Sequence, residues 1–119
     1  MKIAEYMVTN LIWVDAGSSL EEAAILFSEN SISSLLVKEN GEYVGIISKT
    51  DIIERVIAKG LNPITTLTGS VMSKPLLTMD HYLPRKDAHE FMSRKKIKHL
   101  VVTEHGKVVG ILTLKDMIS

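Results

Sequence analysis

The chain repeats itself at a fixed offset, and this constrains its fold more than any other feature. Shifting the sequence by 65 positions aligns its two halves without a gap. Identical residues recur at many aligned positions, among them Met7 and Met72, Asp15 and Asp80, Ala23 and Ala88, Val37 and Val102. A duplicated unit usually buries its hydrophobic face against its copy. We therefore expect one compact domain made of two repeats, residues 1–62 and 63–119.

The first repeat predicts the order β-α-β-β-α. Its strands are expected over residues 11–14, 34–38 and 43–47, where β-favouring apolar residues cluster. A capping box from Ser18 to Glu21 predicts a helix that ends near Asn30. Asn40-Gly41 predicts a type I′ hairpin turn between the second and third strands. The last helix is expected over 49–59, with its inner side formed by Ile52, Ile53, Val56 and Ile57.

The second repeat predicts the same order. Strands are expected over residues 76–79, 100–102 and 107–112, with a turn at His105-Gly106. A helix is expected from Pro84 to about Lys95, because proline suits the first helical position. The final helix has only residues 114–119 available. Helices and strands mixed in this way indicate an α+β fold.

Composition excludes several kinds of protein. Hydrophobic residues make up 45% and charged residues 24% of the chain, as in soluble globular domains. There is no cysteine, which excludes disulfides and thiolate metal sites. No segment resembles a signal peptide, and no uncharged apolar run approaches the ~20 residues of a membrane span. We expect a cytoplasmic protein with no membrane partner.

Charge is balanced overall but unevenly placed. Residues 1–64 hold 9 acidic and 5 basic side chains, whereas residues 65–119 hold 5 acidic and 9 basic ones. Many of the bases lie in the stretch 94–99, which reads Arg-Lys-Lys-Ile-Lys-His. Two interpretations stay open: cations at the negative end of a helix, or attraction for phosphate or an acidic partner. Nucleic acid is not an expected partner, because the chain is not basic and has few aromatic residues for stacking.

Each repeat ends in the same short motif. Gly45-Ile46-Ile47-Ser48 is followed three residues later by Asp51, and Gly110-Ile111-Leu112-Thr113 is followed by Asp116. The apolar part is typical of a strand end, and the hydroxyl residue lies where a helix should begin. A hydroxyl three residues before an acid is a capping box, which satisfies free amides of the first helical turn. Repetition of the motif favours an additional role in binding.

These features resemble a CBS-domain pair, also called a Bateman module, over residues 7–119. The resemblance rests on three phrases: 71–75 (Val-Met-Ser-Lys-Pro), 97–102 (Ile-Lys-His-Leu-Val-Val), and the doubled Gly-aliphatic-aliphatic-Ser/Thr-x-x-Asp motif. It implies an α+β fold of tandem β-α-β-β-α repeats, related by a pseudo-twofold axis and packed through their sheets. It also implies two clefts that bind adenine nucleotides such as AMP, ADP or ATP. Such modules are regulatory and not catalytic; they report to a partner or act as dimers.

The resemblance also implies roles for individual residues. Carboxylates accept hydrogen bonds from ribose hydroxyls well, which assigns Asp51 and Asp116 to ribose. Ser48 and Thr113 are assigned to ribose or phosphate. An adenine ring needs apolar walls, and the candidates are Ile12, Ile46, Leu77 and Ile111.

Further phosphate contacts follow from the family pattern. A nucleotide-binding family member carries a His-Arg pair where this chain has Lys98-His99 in one repeat and Ser33-Ser34 in the other. The resemblance implies phosphate contacts from Lys98 and His99, with Ser33 and Ser34 lining their cleft more weakly. For Lys98 the other interpretation is an exposed surface lysine, and for His99 a hydrogen-bonded, partly buried histidine.

Other functions stay open beside nucleotide sensing. One is a ligand-free assembly or dimerisation module, and another is a sensor of S-adenosylmethionine or an NAD-type ligand. We expect no catalytic residues, since the sequence shows no nucleophile–base set, glycine-rich phosphate loop or metal cluster. We also expect no required cofactor, no metal, a homodimer, and an associated regulated protein. Trp13 is interpreted as a packing residue or an interface anchor.

Overall fold

The computed structural model describes residues 1–115. Its backbone contacts divide the chain into two compact units. The first-repeat unit is Ile12–Leu76, and the second-repeat unit combines Met1–Leu11 with the chain from Leu77 onward. Each unit therefore contains the main elements of one predicted repeat and a short segment of the other. The boundary at residues 62 and 63 stays a prediction about the repeats themselves.

The first-repeat unit has a three-stranded mixed sheet in the order β1-β2-β3. Its strands are β1 (Trp13–Asp15), β2 (Ser34–Glu39) and β3 (Glu42–Ser48). β1 pairs with β2 in parallel, and β2 pairs with β3 in antiparallel fashion. Helix α1 (Leu20–Asn30) connects β1 to β2, and α2 (Lys49–Ile52) follows β3 and continues as a π-helical turn, Ile53–Ile57. A 3-10 turn spans Thr68–Ser70.

The second-repeat unit has the same topology, with sheet order β4-β5-β6. Its strands are β4 (Thr78–Asp80), β5 (His99–Glu104) and β6 (Lys107–Thr113), and its helix is α3 (Arg85–Lys95). A 3-10 turn at Ile3–Glu5 lies 65 residues before its counterpart in the other unit. Two repeats with mixed sheets confirm the predicted α+β fold. Most of the predicted final helix, 114–119, lies outside the described residues.

The boundaries of several elements differ from the prediction by one or two residues. β1 and β4 begin two residues later than expected. The cap of α1 is Ser19, whose hydroxyl accepts from the Glu22 amide at 3.2 Å, so the prediction of Ser18 was wrong by one residue. Two serines lie side by side here, and either can open a capping pattern. Pro84 is the residue before α3 and offers no side-chain cap.

Both hairpin turns have the backbone of type I′, which the sequence predicted for Asn40-Gly41. Asn40 and Gly41 have φ values of 53° and 80°, and His105 and Gly106 have 52° and 77°. Two successive residues with positive φ are the requirement of a type I′ turn. Asn40 and Gly41 adopt positive φ readily, whereas His105 adopts positive φ at some steric cost.

Only one apolar row of the segment after β3 reaches the core. Val56 is fully buried and Ile52 packs against the same cluster. Ile53 and Ile57 are 62% and 57% exposed, so the prediction that they face inward was wrong. Residues 53 and 57 lie about 100° around the helix axis from 52 and 56. The sheet and α1 therefore cover one row and leave the other uncovered.

A short segment outside the repeat's own strands extends the sheet of the first-repeat unit. Ser73 exchanges both backbone hydrogen bonds with Ile46 of β3, at 2.8 and 3.1 Å. This close approach requires Gly45, because an added Cβ would lie 2.6 Å from the Met72 sulfur and 2.9 Å from the Ser73 carbonyl oxygen. The glycine that opens the repeated motif is thus explained by packing.

The second-repeat unit has the equivalent arrangement, made with residues from the start of the chain. Val8 exchanges backbone hydrogen bonds of 2.7 and 2.9 Å with Ile111 of β6. A Cβ on Gly110 would lie 2.8 Å from the Met7 sulfur and 2.9 Å from the Val8 carbonyl oxygen. Each motif glycine therefore lies under a methionine from the segment that completes its unit.

Among the helices formed by residues 1–115, none combines the length and the apolar character that crossing a membrane requires.

Candidate functional site

The first motif forms its site at the end of β3. Ser48 is the cap of α2, and its hydroxyl oxygen accepts from the Asp51 amide at 3.1 Å. The Asp51 carboxylate in return accepts from the Ser48 amide at 2.8 Å. The predicted capping box is therefore confirmed, and it fixes both side chains in one short turn. Both residues are only partly buried, so solvent reaches them.

The serines predicted to line the same cleft lie beside this cap. Ser34 pairs with Ser48 across the β2–β3 ladder and is 7% exposed. The Ser33 carbonyl accepts from the Lys49 amide at 3.2 Å, while the residue itself is exposed. The fold thus brings together all four polar residues predicted for the first repeat, Ser33, Ser34, Ser48 and Asp51.

Arg55 also belongs to this cluster, and sequence reasoning missed it. Its Nε lies 3.6 Å from the second carboxylate oxygen of Asp51, and its Nη1 donates to the Val71 carbonyl at 2.9 Å. The Arg55 side chain is 51% exposed and the Asp51 side chain 19%. The available signal was the four-residue spacing between an acid and a base on a helix. The first repeat therefore has a cation beside its motif, although it lacks a counterpart of Lys98.

The second motif is built in the same way as far as residue 115. Thr113 ends β6 and pairs with His99, as Ser48 pairs with Ser34. The Lys98 carbonyl accepts from the Leu114 amide at 3.0 Å, which repeats the Ser33–Lys49 bond. Lys98 is exposed, and His99 and Thr113 are partly buried. Asp116, the predicted ribose ligand of this repeat, lies outside the described residues.

The four adenine-wall candidates occupy matching positions in the two sheets. The Ile12 carbonyl accepts from the Leu36 amide at 3.2 Å, and Leu36 pairs with Ile46 in the ladder. In the other unit, the Leu77 carbonyl accepts from Val101 at 3.2 Å, and Val101 pairs with Ile111. Each pair of candidates therefore flanks the central strand of its own sheet.

Exposure separates these candidates. Ile12, Ile46 and Leu77 are partly buried, so each keeps some surface for a ligand. Ile111 is only 8% exposed and has less to offer. An apolar wall is therefore more open on the first-repeat strands than on β6.

The chemistry on offer in each unit is hydrogen bonding by hydroxyl, carboxylate and backbone groups. Within residues 1–115, no group of three or more His, Cys, Asp or Glu side chains is arranged to hold a metal ion. Every buried side-chain nitrogen or oxygen in that part of the chain has a hydrogen-bond partner. In the first motif, Ser48 and Asp51 bond to each other and still reach solvent.

Comparisons with known proteins agree with this architecture. The family model described as CBS domain matches residues 3–58 and 69–119. A solved structure of an uncharacterized conserved protein from Pyrococcus horikoshii is 36% identical, has a TM-score of 0.92, and covers 98% of this chain and 89% of that one. An uncharacterized protein of Methanopyrus kandleri is 32% identical over 82% of this chain. The match covers only 51% of the length of that protein.

An enzyme also contains a similar stretch. Inosine-5′-monophosphate dehydrogenase of Korarchaeum cryptofilum is 31% identical over 94% of this chain, but the match covers only 22% of that protein. CBS-domain pairs are in general regulatory modules that bind ligands. Because the family model matches two segments that contain the strands and helices of both units, the chain belongs to the CBS-domain family and carries a pair of its repeats.

Proposed function

We propose that the chain is a regulatory module that binds an adenine nucleotide at its two repeated motifs. The observation that supports this most is the Ser48–Asp51 cap, which fixes a hydroxyl and a carboxylate at a partly exposed strand end beside Ser33 and Ser34. AMP, ADP and ATP share a ribose, phosphates and a flat apolar ring. Their recognition needs a carboxylate, hydroxyl or cationic donors, and apolar walls.

Capping leaves these groups with capacity for a ligand. A carboxylate has about four lone-pair sites, and Asp51 uses one for the Ser48 amide while another faces Arg55. It can still accept from ribose hydroxyls. A serine hydroxyl that accepts one bond keeps its proton as a donor, which suits Ser48 to a phosphate or ribose oxygen. By the repeat, Asp116 and Thr113 take the same roles.

Cations near each motif favour phosphate. His99 pairs with Thr113 in the β5–β6 ladder, Lys98 precedes His99 and its carbonyl accepts from the Leu114 amide, and Arg55 adjoins Asp51. The side chain of Lys98 is exposed, which favours a contact that forms only with ligand. Because the cations differ between the repeats, we expect unequal affinities for a nucleotide. We also propose that the ligand acts as a regulatory effector for an associated protein and is not a catalytic cofactor.

Isothermal titration tests the proposal with AMP, ADP, ATP, S-adenosylmethionine and NAD. We expect saturable heat with at least one nucleotide and a raised melting temperature, because a ligand that binds only the folded state stabilises it. If S-adenosylmethionine or NAD bound more tightly than AMP, ADP and ATP, that compound would be the ligand in place of an adenine nucleotide. No heat with any adenosine compound at millimolar concentration would contradict the proposal and favour a ligand-free assembly module.

A second function, self-association as a homodimer, is favoured by the uncovered apolar row. Ile53 and Ile57 are more than half exposed on successive turns, and such surfaces commonly form symmetric contacts. We expect the double variant Ile53→Ser/Ile57→Ser to shift the native protein from dimer to monomer in sedimentation velocity. Ile64→Ser is the matched control, since Ile64 is 60% exposed in the connector. A native protein that stays monomeric at every concentration would exclude this function.

A further inference from the structure

β1 is the edge strand of its sheet, and its outer side carries backbone groups open to another strand. On the inner side, the Ile12 carbonyl accepts from β2 at 3.2 Å and the Ala16 amide donates to the Lys38 carbonyl at 2.7 Å. Because successive residues of a strand direct their backbone groups to opposite sides, Trp13 directs its amide and carbonyl outward, and Asp15 its amide. Within residues 1–115, no strand or bridge pairs with β1 on that side. Such an edge is a template for the addition of an extended segment.

A hollow of about 350 Å³ lies along this edge, between β1 and α1. The strand contributes Trp13 and Asp15 to its lining, and the helix contributes Glu22, Ile25 and Leu26 at helical spacing. Trp13 and Ile25 are 45% and 50% exposed. The groove therefore combines an open backbone edge with a pocket for side chains. These are the two parts of peptide recognition by strand addition, in which backbone hydrogen bonds give affinity and pockets for alternate side chains give specificity.

The lining of the hollow is suited to a basic side chain. The Asp15 carboxylate accepts from the Gly17 amide through one oxygen at 2.8 Å, and its other oxygen is left for a ligand. Glu22 is exposed, and within residues 1–115 no ion pair engages either carboxylate. Carboxylates and an aromatic face are the groups that bind a guanidinium or an ammonium. The aliphatic stem of the same side chain would cover Ile25.

The charge around the hollow selects the same kind of partner. Helix α1 carries three acids, Glu21, Glu22 and Glu29, and no base. Lys38 is the base beside the hollow, with its ammonium 4.4 Å from the Trp13 ring centroid and 4.7 Å from the Tyr43 ring centroid. One lysine next to Asp15 and the three acids of α1 leaves this surface negative. A negative surface attracts a basic segment and disfavours an acidic one.

The aromatic and apolar lining belongs to one repeat only. At the offset of 65 residues, Trp13 aligns with Thr78 and Ile25 aligns with Glu90. The strand geometry is shared, because β4 pairs with β5 in the same parallel register as β1 with β2. The shared fold therefore does not require an exposed tryptophan and isoleucine here, and their presence in one repeat favours a role in recognition.

We propose that β1 and α1 form a docking groove for an extended basic segment of a partner protein. The segment adds to β1 as a further strand and inserts an Arg or Lys side chain between Asp15 and Glu22. The groove lies within the first-repeat unit, and its lining residues differ from those assigned to the nucleotide. The inference rests on the associated protein proposed above, but not on nucleotide binding.

Blocked heptapeptides of the sequence Ser-Thr-Val-X-Val-Thr-Ser test the groove, with X as Arg, Lys, Gln or Glu. In amide NMR spectra of the isotope-labelled chain, the Arg and Lys peptides should give saturable shifts at the Trp13 and Asp15 amides and at the Trp13 indole N–H. Their affinity should exceed that of the Glu peptide at least about tenfold. No saturable shift at millimolar peptide, or equal affinity for the Glu peptide, would overturn the proposal.

Backbone methylation of the Arg peptide tests strand addition separately from charge. Methyl groups on its peptide nitrogens remove the donors that would bond to the Trp13 carbonyl, while the guanidinium stays. We expect this peptide to lose binding, because main-chain hydrogen bonds supply the affinity in this mode. A methylated peptide that binds as tightly as the unmethylated one would overturn the strand addition.

Two adjacent acids of α1 provide a matched pair of variants. Glu22→Gln removes a lining carboxylate and should weaken binding of the Arg peptide about threefold. Glu21→Gln removes the same charge outside the lining and should leave the affinity unchanged. Trp13→Thr, which introduces the residue of the aligned position, should weaken binding about tenfold. Circular dichroism verifies folding. Equal effects of the two glutamine variants would mean general charge attraction and would overturn the groove.

Two controls separate this proposal from the other functions. If the Trp13 and Asp15 amides of the chain alone shift as its concentration rises, a second copy occupies the edge, and the partner proposal is overturned. Calorimetric titration of Trp13→Thr with nucleotide should give native affinity. Loss of peptide binding with intact nucleotide binding would count against the groove alone, and the reverse result would count against the nucleotide sensor alone.

Discussion

At the scale of single residues, the ribose-binding role proposed for Asp51 conflicts only in part with its capping role. Asp51 caps α2 through one oxygen and faces Arg55 with the other. The Arg55 side chain is half exposed, so this ion pair contributes little to the free energy of unfolding. We propose that Arg55 instead holds the carboxylate in place and offers its remaining guanidinium donors to a phosphate. To cap α2 in the ligand-free protein and bind ribose in the nucleotide complex, Asp51 must keep the same position in both.

We expect Asp51→Ala to abolish nucleotide binding at its own motif while lowering the free energy of unfolding by only about 1 kcal/mol, the usual scale for a lost cap. Titration calorimetry and urea unfolding measure the two effects. Ser19→Ala is the matched control, because it removes the α1 cap at similar cost and lies outside the proposed site. Asp116→Ala should act likewise at the other motif. A variant that retains full affinity at both motifs leaves Asp51 with the capping role alone.

At the scale of elements, each motif glycine is required by a neighbouring segment. Gly45 lies under Met72 and Ser73, and Gly110 lies under Met7 and Val8. The sulfur is the flexible end of a side chain and can move aside, but the carbonyl oxygens belong to backbone that pairs with β3 or β6. An added methyl group would therefore strain the pairing that completes each sheet.

We expect Gly45→Ala to lower the free energy of unfolding by about 1–3 kcal/mol, the range for overpacking a buried contact. Chemical denaturation measures it. Gly17→Ala is the control, because its Cβ would meet only the flexible Asp15 side chain at 3.2 Å; its effect should stay within about 1 kcal/mol. Adding Met72→Ala to Gly45→Ala should not restore the loss, because the Ser73 carbonyl oxygen remains 2.9 Å from the added Cβ. A Gly45→Ala protein as stable as native would contradict the packing explanation.

Elements whose signals are local were predictable from the sequence. Strand composition, the Asn40-Gly41 turn and the Ser48–Asp51 cap each depend on neighbours in the chain, and the structure confirms them. The exposure of Ile53 was not predictable, because an apolar row does not indicate which side of a helix its neighbours will cover. The pairing of Ser73 with Ile46 joins distant segments through backbone atoms, which leave no mark on side-chain pattern. Arg55 had a local signal, its spacing of four residues from Asp51. It does not align with Lys98 or His99 in the repeat, so the alignment did not indicate it.

At the scale of the whole molecule, the units of structure are not the halves of the sequence. The core of the first-repeat unit includes Val71, and Thr68 is fully buried there. Both residues follow the predicted boundary at position 62. A fragment cut at that boundary would lose a buried cluster member, the strand partner of Ile46 and the hydrogen-bond acceptor of Arg55.

We expect a fragment of residues 12–76 to unfold cooperatively on heating, as domains of about this size often can, and a fragment of residues 1–62 to show no cooperative transition. Circular dichroism measures both. The matched control is Val71→Asp in the 12–76 fragment, which keeps the length and places a charge in the core, and should abolish the transition. Equal cooperativity of the two fragments would mean that residues 63–76 are dispensable for the unit.

The composition of the second-repeat unit has a consequence for synthesis on the ribosome. Its first residues, Met1–Leu11, hydrogen-bond to the segment around Leu83 and to β6, which are translated much later. The first-repeat unit is contiguous and nested between the two parts of the other. During translation, all residues of the first-repeat unit are therefore present before the strand that pairs with Met1–Leu11 has been synthesised. Folding of this chain has a direction imposed by the order of synthesis.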